Sequence, residues 1–435
     1  MHRIPLALGR LLATCAALTL LGGCMGGITP PGMFGFGRGN APADPAAMPS
    51  GQAQSQLIDG LRARHSILPP GGPYEQVARA VIDAASGASA AELRVARLRA
   101  EAKSKNWLPS IRPGVTLSSL GALAGSILLE QALFDHGRRK AERAHAAADV
   151  EVAAVFLAQD MNQRVYDGLV HYLTIARAQE QAAIAERASA RLTEFESVVA
   201  MRVQGGLSDR SEEQIITQKR SEMMATLTAD RNAAAQAQAE LGAMTSRPLT
   251  GVRGLDRLPA PQPAEPLAVV KAVGEAARAT AQAQMNRAGL LPGLGVTATG
   301  DGDGVTGGLR LGDTVTGFGT GAALRAADAE ADAATRRIDE QRQNSARRIV
   351  KLEQDIAALL SREAQGAGVL RQTQGNLDLF VEQYRAGRRT LLELVQQYDA
   401  FARLDRDQAA IKYEVARLNL EIARDRGLLV DGDRM

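Results

Sequence analysis

A long stretch without proline decides the fold. Residues 138–203 read RRKAERAHAAADVEVAAVFLAQDMNQRVYDGLVHYLTIARAQEQAAIAERASARLTEFESVVAMRV, and Gly168 is the one helix-breaking residue among them. Alanine dominates the stretch, together with other strong helix formers such as leucine, glutamate, glutamine and arginine. At a rise of ~1.5 Å per residue, a helix of about 65 residues is a rod of roughly 100 Å. Such a rod is stable in water only when it packs along other helices, so the stretch predicts a bundle of long helices.

The composition of the whole chain also favours long packed helices over a large globular core. Apolar residues make up 45% of the 435 residues but aromatic residues only 3%, whereas large cores bury much of their area in Phe, Tyr and Trp. The formal net charge is only +3 and the sequence has no basic stripe. The chain is therefore predicted to bind no nucleic acid.

The same plan occurs twice along the chain. Residues 322–386 form a second long stretch without proline, and matching residues of the two halves are 182 or 183 positions apart. We therefore predict a tandem duplication, with a first repeat at 74–246, a Pro-rich linker at 247–266 and a second repeat at 267–427. Residues 428–435 are predicted to be a C-terminal tail. The matching pairs are Pro109 with Pro292, Gly137 with Gly319, Gly205 with Gly387, and Ser208 with Thr390.

Each repeat contains an apolar segment, at about residues 110–134 and 293–318, in which the period changes from helical to two. In Gly295–Thr299 and Val305–Leu311, apolar residues alternate with Thr, Gly and Arg. The Asp-Gly-Asp-Gly sequence at 301–304 predicts a tight hairpin turn. A calcium-binding loop is not favoured, because it would need a terminal glutamate that is missing here. Alternation over about ten residues is typical of a membrane β-barrel wall.

The number of predicted strands has a consequence for assembly. Each repeat supplies two strands, so one chain supplies four, and four strands cannot close a barrel around a pore. Because an open sheet edge cannot face lipid, several chains must contribute strands to one barrel.

The two long helices end at short glycine turns, which we call the helix tips, at about residues 203–209 and 386–391. Gly205 and Gly387 are placed to supply the left-handed residue that ends each long helix. Ser208 and Thr390 are placed to N-cap the helix that returns.

The N-terminus has the features of a bacterial signal peptide. Residues 1–23 combine two arginines with an apolar run that is too short to span a bilayer. The run ends in Leu21-Gly22-Gly23-Cys24, which resembles the lipobox of bacterial lipoproteins and implies a covalent lipid on Cys24. An ordinary signal peptide with an incidental cysteine is the alternative. Residues 24–73 are rich in Gly, Pro and Ala and are predicted to be a flexible tether.

The plan as a whole resembles the outer-membrane efflux protein family of TolC over about residues 75–427. The shared features are the lipobox, Trp107-Leu108-Pro109, the duplicated order of elements, and the tip YRAGRRTLLEL at 384–394. The resemblance implies a mainly α fold with a small membrane β part, in which long helical hairpins form an α-barrel. Four strands from each chain would contribute to the shared 12-stranded β-barrel of a homotrimer.

The resemblance also implies a function and its partners. The family forms passive conduits for drugs or secreted proteins in the outer membrane of Gram-negative bacteria. A periplasmic adaptor (a membrane fusion protein) joins the conduit to an inner-membrane pump of the RND or ABC type. No cofactor is implied apart from the lipid on Cys24.

The resemblance further assigns roles to residues at the tips. Glu393 lies where the family carries an acid that gates the tunnel entrance, and Gln396 lies where a second acid is common, so any acidic ring is weaker here. A solvated helix acid is the plain alternative for Glu393, and Asp209 and Glu212 at the other tip are further gate candidates. The residues implied to contact the adaptor are Gly205, Ser208, Gly387 and Thr390.

A second hypothesis is a periplasmic lipoprotein adaptor or scaffold of long helical hairpins without its own pore. Adaptors normally carry one hairpin flanked by compact β-domains, whereas this chain has two long hairpins and membrane-type alternation. The sequence shows no Ser-His-Asp set, phosphate loop or paired catalytic acids, and its histidines have no metal-site spacing. An enzyme is therefore not predicted.

Overall fold

The computed structural model describes residues 55–117, 123–249, 251–259, 263–301, 304–312 and 317–434. The predicted signal peptide, Cys24, the tether up to residue 54, and Gly302 and Asp303 of the predicted hairpin turn lie outside these ranges. The described part of the chain is mainly α-helical. Its helices are α1 Gln56–Arg62, α2 Pro73–Asp83, α3 Ala88–Ser104, α4 Arg138–Gln204, α5 Arg210–Met244, α6 Leu267–Gly289, α7 Thr320–Arg385 and α8 Leu391–Asp425, followed by a 3-10 turn at Gly432–Arg434.

The two long helices are present and nearly equal in length. Helix α4 has 67 residues and α7 has 66, so each extends roughly 100 Å. The helices that return, α5 and α8, have 35 residues each. Gly168 does not interrupt α4; a Cβ atom at this position would lie 2.7 Å from Cγ2 of Val81. The glycine instead lets α2 approach α4 closely.

The strands of both repeats form one antiparallel sheet in the order β1-β2-β3-β4. Its strands are β1 Ser110–Leu117, β2 Leu123–Phe134, β3 Leu294–Asp301 and β4 Gly304–Leu311. The two predicted hairpins are therefore confirmed, and β2 and β3 pair with each other to join the repeats. Among the described strands, the outer strands β1 and β4 each have one edge without a partner.

The helices are buried to very different degrees. Twenty-four residues of α4 are buried but only five of α7, so α4 is the helix against which the rest of the chain packs. Helix α7 exposes several large apolar side chains along its length. They are Val350, Leu360, Val369 and Leu379.

The expectation of a flexible tether up to residue 73 is wrong from residue 55 onward. Helix α1 begins at Gln56, and Leu61, Ile67 and Leu68 are buried in the main core. The Gly, Pro and Ala content of the whole segment predicts a tether because the apolar stretch at its end is too short to change that composition.

The C-terminal tail expected at 428–435 is also packed. Leu428, Leu429 and Val430 are buried, and the amide of Ile67 donates to the carbonyl oxygen of Leu428 at 2.9 Å. The amide of Gly432 donates to the carbonyl oxygen of Arg64 at 2.8 Å. We call residues 61–68 and 426–432 together the terminal clasp, because they hold the two ends of the described chain against α4.

The Pro-rich linker between the repeats is fixed to the first repeat. A side-chain oxygen of Asp256 accepts from the amide of Tyr74 at 3.0 Å. The carbonyl oxygen of Gly254 accepts from the hydroxyl group of Tyr172 at 2.8 Å. The linker therefore crosses the core that surrounds α2 and α4.

We predict that Asn162 stabilises the terminal clasp. This fully buried side chain accepts from the amide of Leu429 at 2.9 Å and donates to the carbonyl oxygen of Ala158 at 2.8 Å. Asn162→Leu should cost about 1–3 kcal/mol, because it leaves the amide of Leu429 buried without an acceptor. Thermal unfolding followed by circular dichroism should show a lower midpoint. The exposed neighbour variant Gln163→Leu is the control, and an equal shift in both variants would contradict the assignment.

The sheet and the helix tips as candidate functional sites

The strand register places large apolar side chains on one face of the sheet. Val296 pairs with Leu309, Leu294 with Leu311, and Ile111 with Leu129, and paired residues point to the same side. This apolar face is exposed in the single chain. Its large exposed side chains are Ile111, Ile127, Leu129, Leu294, Val296, Val305, Leu309 and Leu311.

The opposite face of the sheet is mainly polar, although Leu128 also lies on it. Thr297, Thr299 and Thr306 lie on it, and Arg112 forms an ion pair with Glu130 at 3.2 Å. A sheet with one apolar and one polar face suits a wall between lipid and water. At the turn between β3 and β4, the side chain of Asp301 accepts from the amide of Gly304 at 3.1 Å, which confirms the turn role predicted for Asp301.

At the first tip, the expected left-handed residue is one position further along. Gly205 has a φ of −80° and still bonds to the carbonyl oxygen of Met201, whereas Gly206 has a φ of +68°. The amide of Leu207 then donates to the carbonyl oxygen of Arg202 at 2.8 Å, which completes a Schellman cap. The expectation for Gly205 is wrong because either member of the Gly-Gly pair fits the sequence pattern.

The residue expected to cap α5 is also displaced by one position. The N-cap is Asp209, whose Oδ1 accepts from the amide of Ser211 at 3.4 Å. Ser208 instead accepts a bond on its hydroxyl oxygen from Nε of Arg202 at 3.2 Å. Serine and aspartate are both good N-caps, so the sequence alone does not show which of Ser208 and Asp209 caps α5.

At the second tip both cap predictions are confirmed. Gly387 has a φ of +69°, and the amide of Arg388 donates to the carbonyl oxygen of Gln383 at 2.8 Å. Thr390 is the N-cap of α8, and its hydroxyl oxygen accepts from the amide of Glu393 at 3.3 Å.

The carboxylate of Glu393 is held by the cap itself. Its Oε2 accepts from the amide of Thr390 at 2.9 Å, so Thr390 and Glu393 form a capping box. Its Oε1 accepts from Arg389 at 3.0 Å. The bond from the Thr390 amide, and then those from Arg389 and the Thr390 hydroxyl group, hold the pKa of Glu393 below its usual value. The stabilisation that the charge of Glu393 adds to the cap is therefore present at neutral pH and is lost only as the pH falls through this lowered pKa.

Arg389 is a tip residue that sequence reasoning missed. Its guanidinium group lies 4.7 Å from the centre of the Phe380 ring and also donates to Oε1 of Gln383 at 3.0 Å. Arg389 thereby ties the end of α7 to the start of α8. Gln396, one turn beyond Glu393, is exposed.

No group of three or more His, Cys, Asp or Glu side chains in the described ranges could hold a metal ion. Within the same ranges, no helix is both long enough and apolar enough to cross a membrane.

Two long helical hairpins that share one small sheet define a TolC-like fold, that of the outer-membrane efflux channels. The chain is similar to the outer-membrane channel OprN, with 17% identity and a TM-score of 0.70 over 84% of this chain and 93% of that one. It is also similar to the CmeC outer membrane channel of Campylobacter jejuni, with 11% identity and a TM-score of 0.68 over 82% and 86% of the two chains. It is also similar to the open state of the MtrE outer membrane channel of Neisseria gonorrhoeae, with 15% identity and a TM-score of 0.65 over 86% of this chain and 89% of that one. No protein-family model and no curated protein matches the sequence.

The two tips allow a matched test of the cap assignments. Thr390→Ala and Asp209→Ala should each weaken the first turn of the helix that they cap by about 1 kcal/mol. Hydrogen exchange of the amides in these first turns should then be about fivefold faster. Ser208→Ala should leave exchange at the start of α5 unchanged, and acceleration equal to that in Asp209→Ala would show that Ser208 is the cap.

Proposed function

We propose that the chain is the outer-membrane channel of a tripartite export system and works as a trimer. The sheet carries this proposal, because its apolar face is exposed and the outer edges of β1 and β4 pair with no other described strand. An apolar face of this kind is unfavourable in water but favourable against lipid. The open edges are unfavourable in lipid unless they pair with strands of another chain.

The trimer follows from strand number and from the surface of α7. When β4 of one chain pairs with β1 of the next, three copies provide the 12 strands of a closed barrel. The apolar side chains that α7 exposes would then pack against a neighbouring chain. Such lateral packing is what stabilises a rod of roughly 100 Å in water.

The proposed location combines the sheet with the N-terminal sequence. A lipid on Cys24 would anchor the chain in the outer membrane of a Gram-negative bacterium, with residues 24–54 as a tether. The helices would then extend into the periplasm. Several acyl chains on one cysteine would anchor durably, whereas a single chain binds only marginally.

The proposed partners meet the channel at its helix tips. A periplasmic adaptor would contact the tips around Gly205, Ser208, Gly387 and Thr390, and would join the channel to an RND or ABC pump. The cargo would be drugs or secreted proteins. The channel itself is proposed to be a passive conduit without catalytic activity, with Glu393 and Gln396 at the tunnel entrance.

Fractionation and conductance test the channel. The full-length protein should be found with the outer membrane as a trimer that dissociates on heating, and it should form ion-conducting pores in planar bilayers. Both results are expected because the sheet needs lipid on one face and neighbouring strands at both edges. A soluble monomer without conductance would contradict the channel and would favour the periplasmic adaptor or scaffold.

The gate role of Glu393 can be tested separately from its cap. Glu393→Gln removes the charge but keeps a side chain that can complete a capping box. If Glu393 contributes an acidic ring, the reversal potential in a salt gradient should show a weaker cation preference. The control is Glu330→Gln, since Glu330 is exposed on α7 roughly 80 Å from the second tip. An unchanged preference in Glu393→Gln would remove Glu393 from the entrance.

A further inference from the structure

We infer that the junction between the sheet and the helices is a docking surface for the headgroups of anionic phospholipids. The surface consists of residues 101–112, 134–143, 284–295 and 317–326, which we call the basic collar. These segments join the helices to the strands in both repeats. The inference rests on the proposed function, because it requires the sheet to stand in a membrane.

The basic collar concentrates positive charge. It holds nine basic and three acidic side chains, a net charge of +6, whereas the whole chain has a net charge of only +3. The rest of the chain is therefore net negative, and the charge of the collar is a local feature. The basic residues are Lys103, Lys105, Arg112, Arg138, Arg139, Lys140, Arg143, Arg287 and Arg325, and the acidic ones are Glu101, Asp135 and Glu142.

The collar also exposes large apolar side chains. Trp107 is 62% exposed and Phe134 is 57% exposed, and Phe318 is fully exposed. Trp107 is the one tryptophan of the sequence. Aromatic side chains beside cations are typical of the boundary between the lipid core and the headgroups.

A hydrogen bond places the backbone of Trp107 beside the face of the sheet that would contact lipid. Gln131 shares the apolar face, because it pairs with Val296. The Nε2 atom of Gln131 donates to the carbonyl oxygen of Trp107 at 2.9 Å. The segment around Trp107 therefore continues the apolar face toward the helices.

Asn106 brings the cations of α3 and α4 together. Its Nδ2 donates to the carbonyl oxygen of Arg139 at 3.1 Å, and its Oδ1 accepts from Arg143 at 2.7 Å. The end of α3, which carries Lys103 and Lys105, is thereby fixed beside the start of α4, which carries Lys140. Lys103 and Lys105 therefore lie close to Trp107 in the sequence, and Lys140 lies in the first turn of α4.

Two of the nine cations pair with acids just outside the collar: Arg112 with Glu130 at 3.2 Å, on the polar face of the sheet, and Arg287 with Asp328 at 2.8 Å. The acids inside the collar do not neutralise the remaining charge. Glu142 is shared between Lys103 at 3.1 Å and Arg138 at 3.5 Å. Glu101 pairs with Lys105 at 3.3 Å in an exposed contact, which contributes little. Lys140 is exposed and has no ion-pair partner in the part of the chain that the structure describes.

The chemistry of the collar fits a phosphate diester at a membrane surface. The long stem of lysine can lie along apolar surface while its ammonium group reaches the headgroup. Each basic side chain near an anionic membrane is worth about 1 kcal/mol. A headgroup with a net negative charge, such as phosphatidylglycerol, should therefore be preferred to the neutral phosphatidylcholine.

Fluorescence of Trp107 can measure this preference directly. The full-length protein would be reconstituted with phosphatidylcholine and phosphatidylglycerol, one of which carries brominated acyl chains that quench tryptophan. Quenching at several lipid ratios gives the relative binding constant of the two lipids. We expect this constant to favour phosphatidylglycerol and to fall as salt is added, because salt screens exposed charges.

A double variant tests the lysines against a matched control. Lys105→Gln with Lys140→Gln should lower the preference by up to about fivefold for each lysine. The control is Lys271→Gln with Lys351→Gln on α6 and α7, outside the collar. Lys271 pairs with Glu275 four residues away at 3.8 Å, as Lys105 does with Glu101, and Lys351, like Lys140, is exposed without an ion pair in the described ranges.

The outcomes separate the lipid inference from the proposed function. Equal quenching of Trp107 by both brominated lipids in the unaltered protein would overturn the lipid inference while leaving the membrane channel in place. An equal fall of the preference in the control variant would also overturn it. Absence of quenching by either lipid, together with absence of conductance, would instead overturn the proposed function.

Discussion

Packing against α4 is the interaction on which the rest of the chain depends. Helices α2, α3, α5, α6 and α8 all contact this one helix. Alanine occurs at many of its buried positions, so neighbouring helices approach closely, and Gly168 lets α2 do the same. The terminal clasp and the linker pack on the same helix near Val155 and Leu169. A rod of this length would not be stable alone, and here its partners come from both repeats.

The two helical hairpins, α4 with α5 and α7 with α8, are joined in different ways along their length. Near the clasp the contact is a large apolar core, to which Tyr413 and Leu420 of α8 contribute. Closer to the tips the apolar cluster is smaller. Ion pairs join the hairpins in both regions, and near Tyr413 the ammonium group of Lys412 lies 2.8 Å from Glu180. Arg406 donates to both carboxylate oxygens of Asp230 at 2.7 Å, and Lys219 lies 3.3 Å from Asp399. Charged contacts between helices depend on ionic strength and tolerate small displacements better than a close-packed core does. The larger apolar contact between the hairpins therefore lies near the clasp.

The sequence predicts the features that depend on the hydrophobic period and on helix-breaking residues. The long helices, the two hairpins of the sheet and the cap at Gly387 and Thr390 follow from patterns that extend over many residues or from a single glycine. It does not predict which of two neighbouring residues takes a capping role, as with Gly205 and Gly206 or with Ser208 and Asp209. It also fails for the packed end of the tether, because Leu61 and its neighbours are too few to change the composition of the segment. The bonds of Arg389 depend on side-chain geometry across a turn, and no periodic pattern in the sequence predicts that geometry.

The two tips meet one backbone requirement with different side chains. Both turns need one residue with positive φ, and Gly206 and Gly387 supply it. The first tip then begins its helix with an acidic N-cap, Asp209, whereas the second uses the hydroxyl group of Thr390 and needs the carboxylate of Glu393 to complete its cap. The acid that the resemblance assigns to the entrance is therefore also part of the structure that starts α8. Its charge and the geometry of the helix are coupled, so a substitution there separates the two roles only when the new side chain can still accept the amide hydrogen bond.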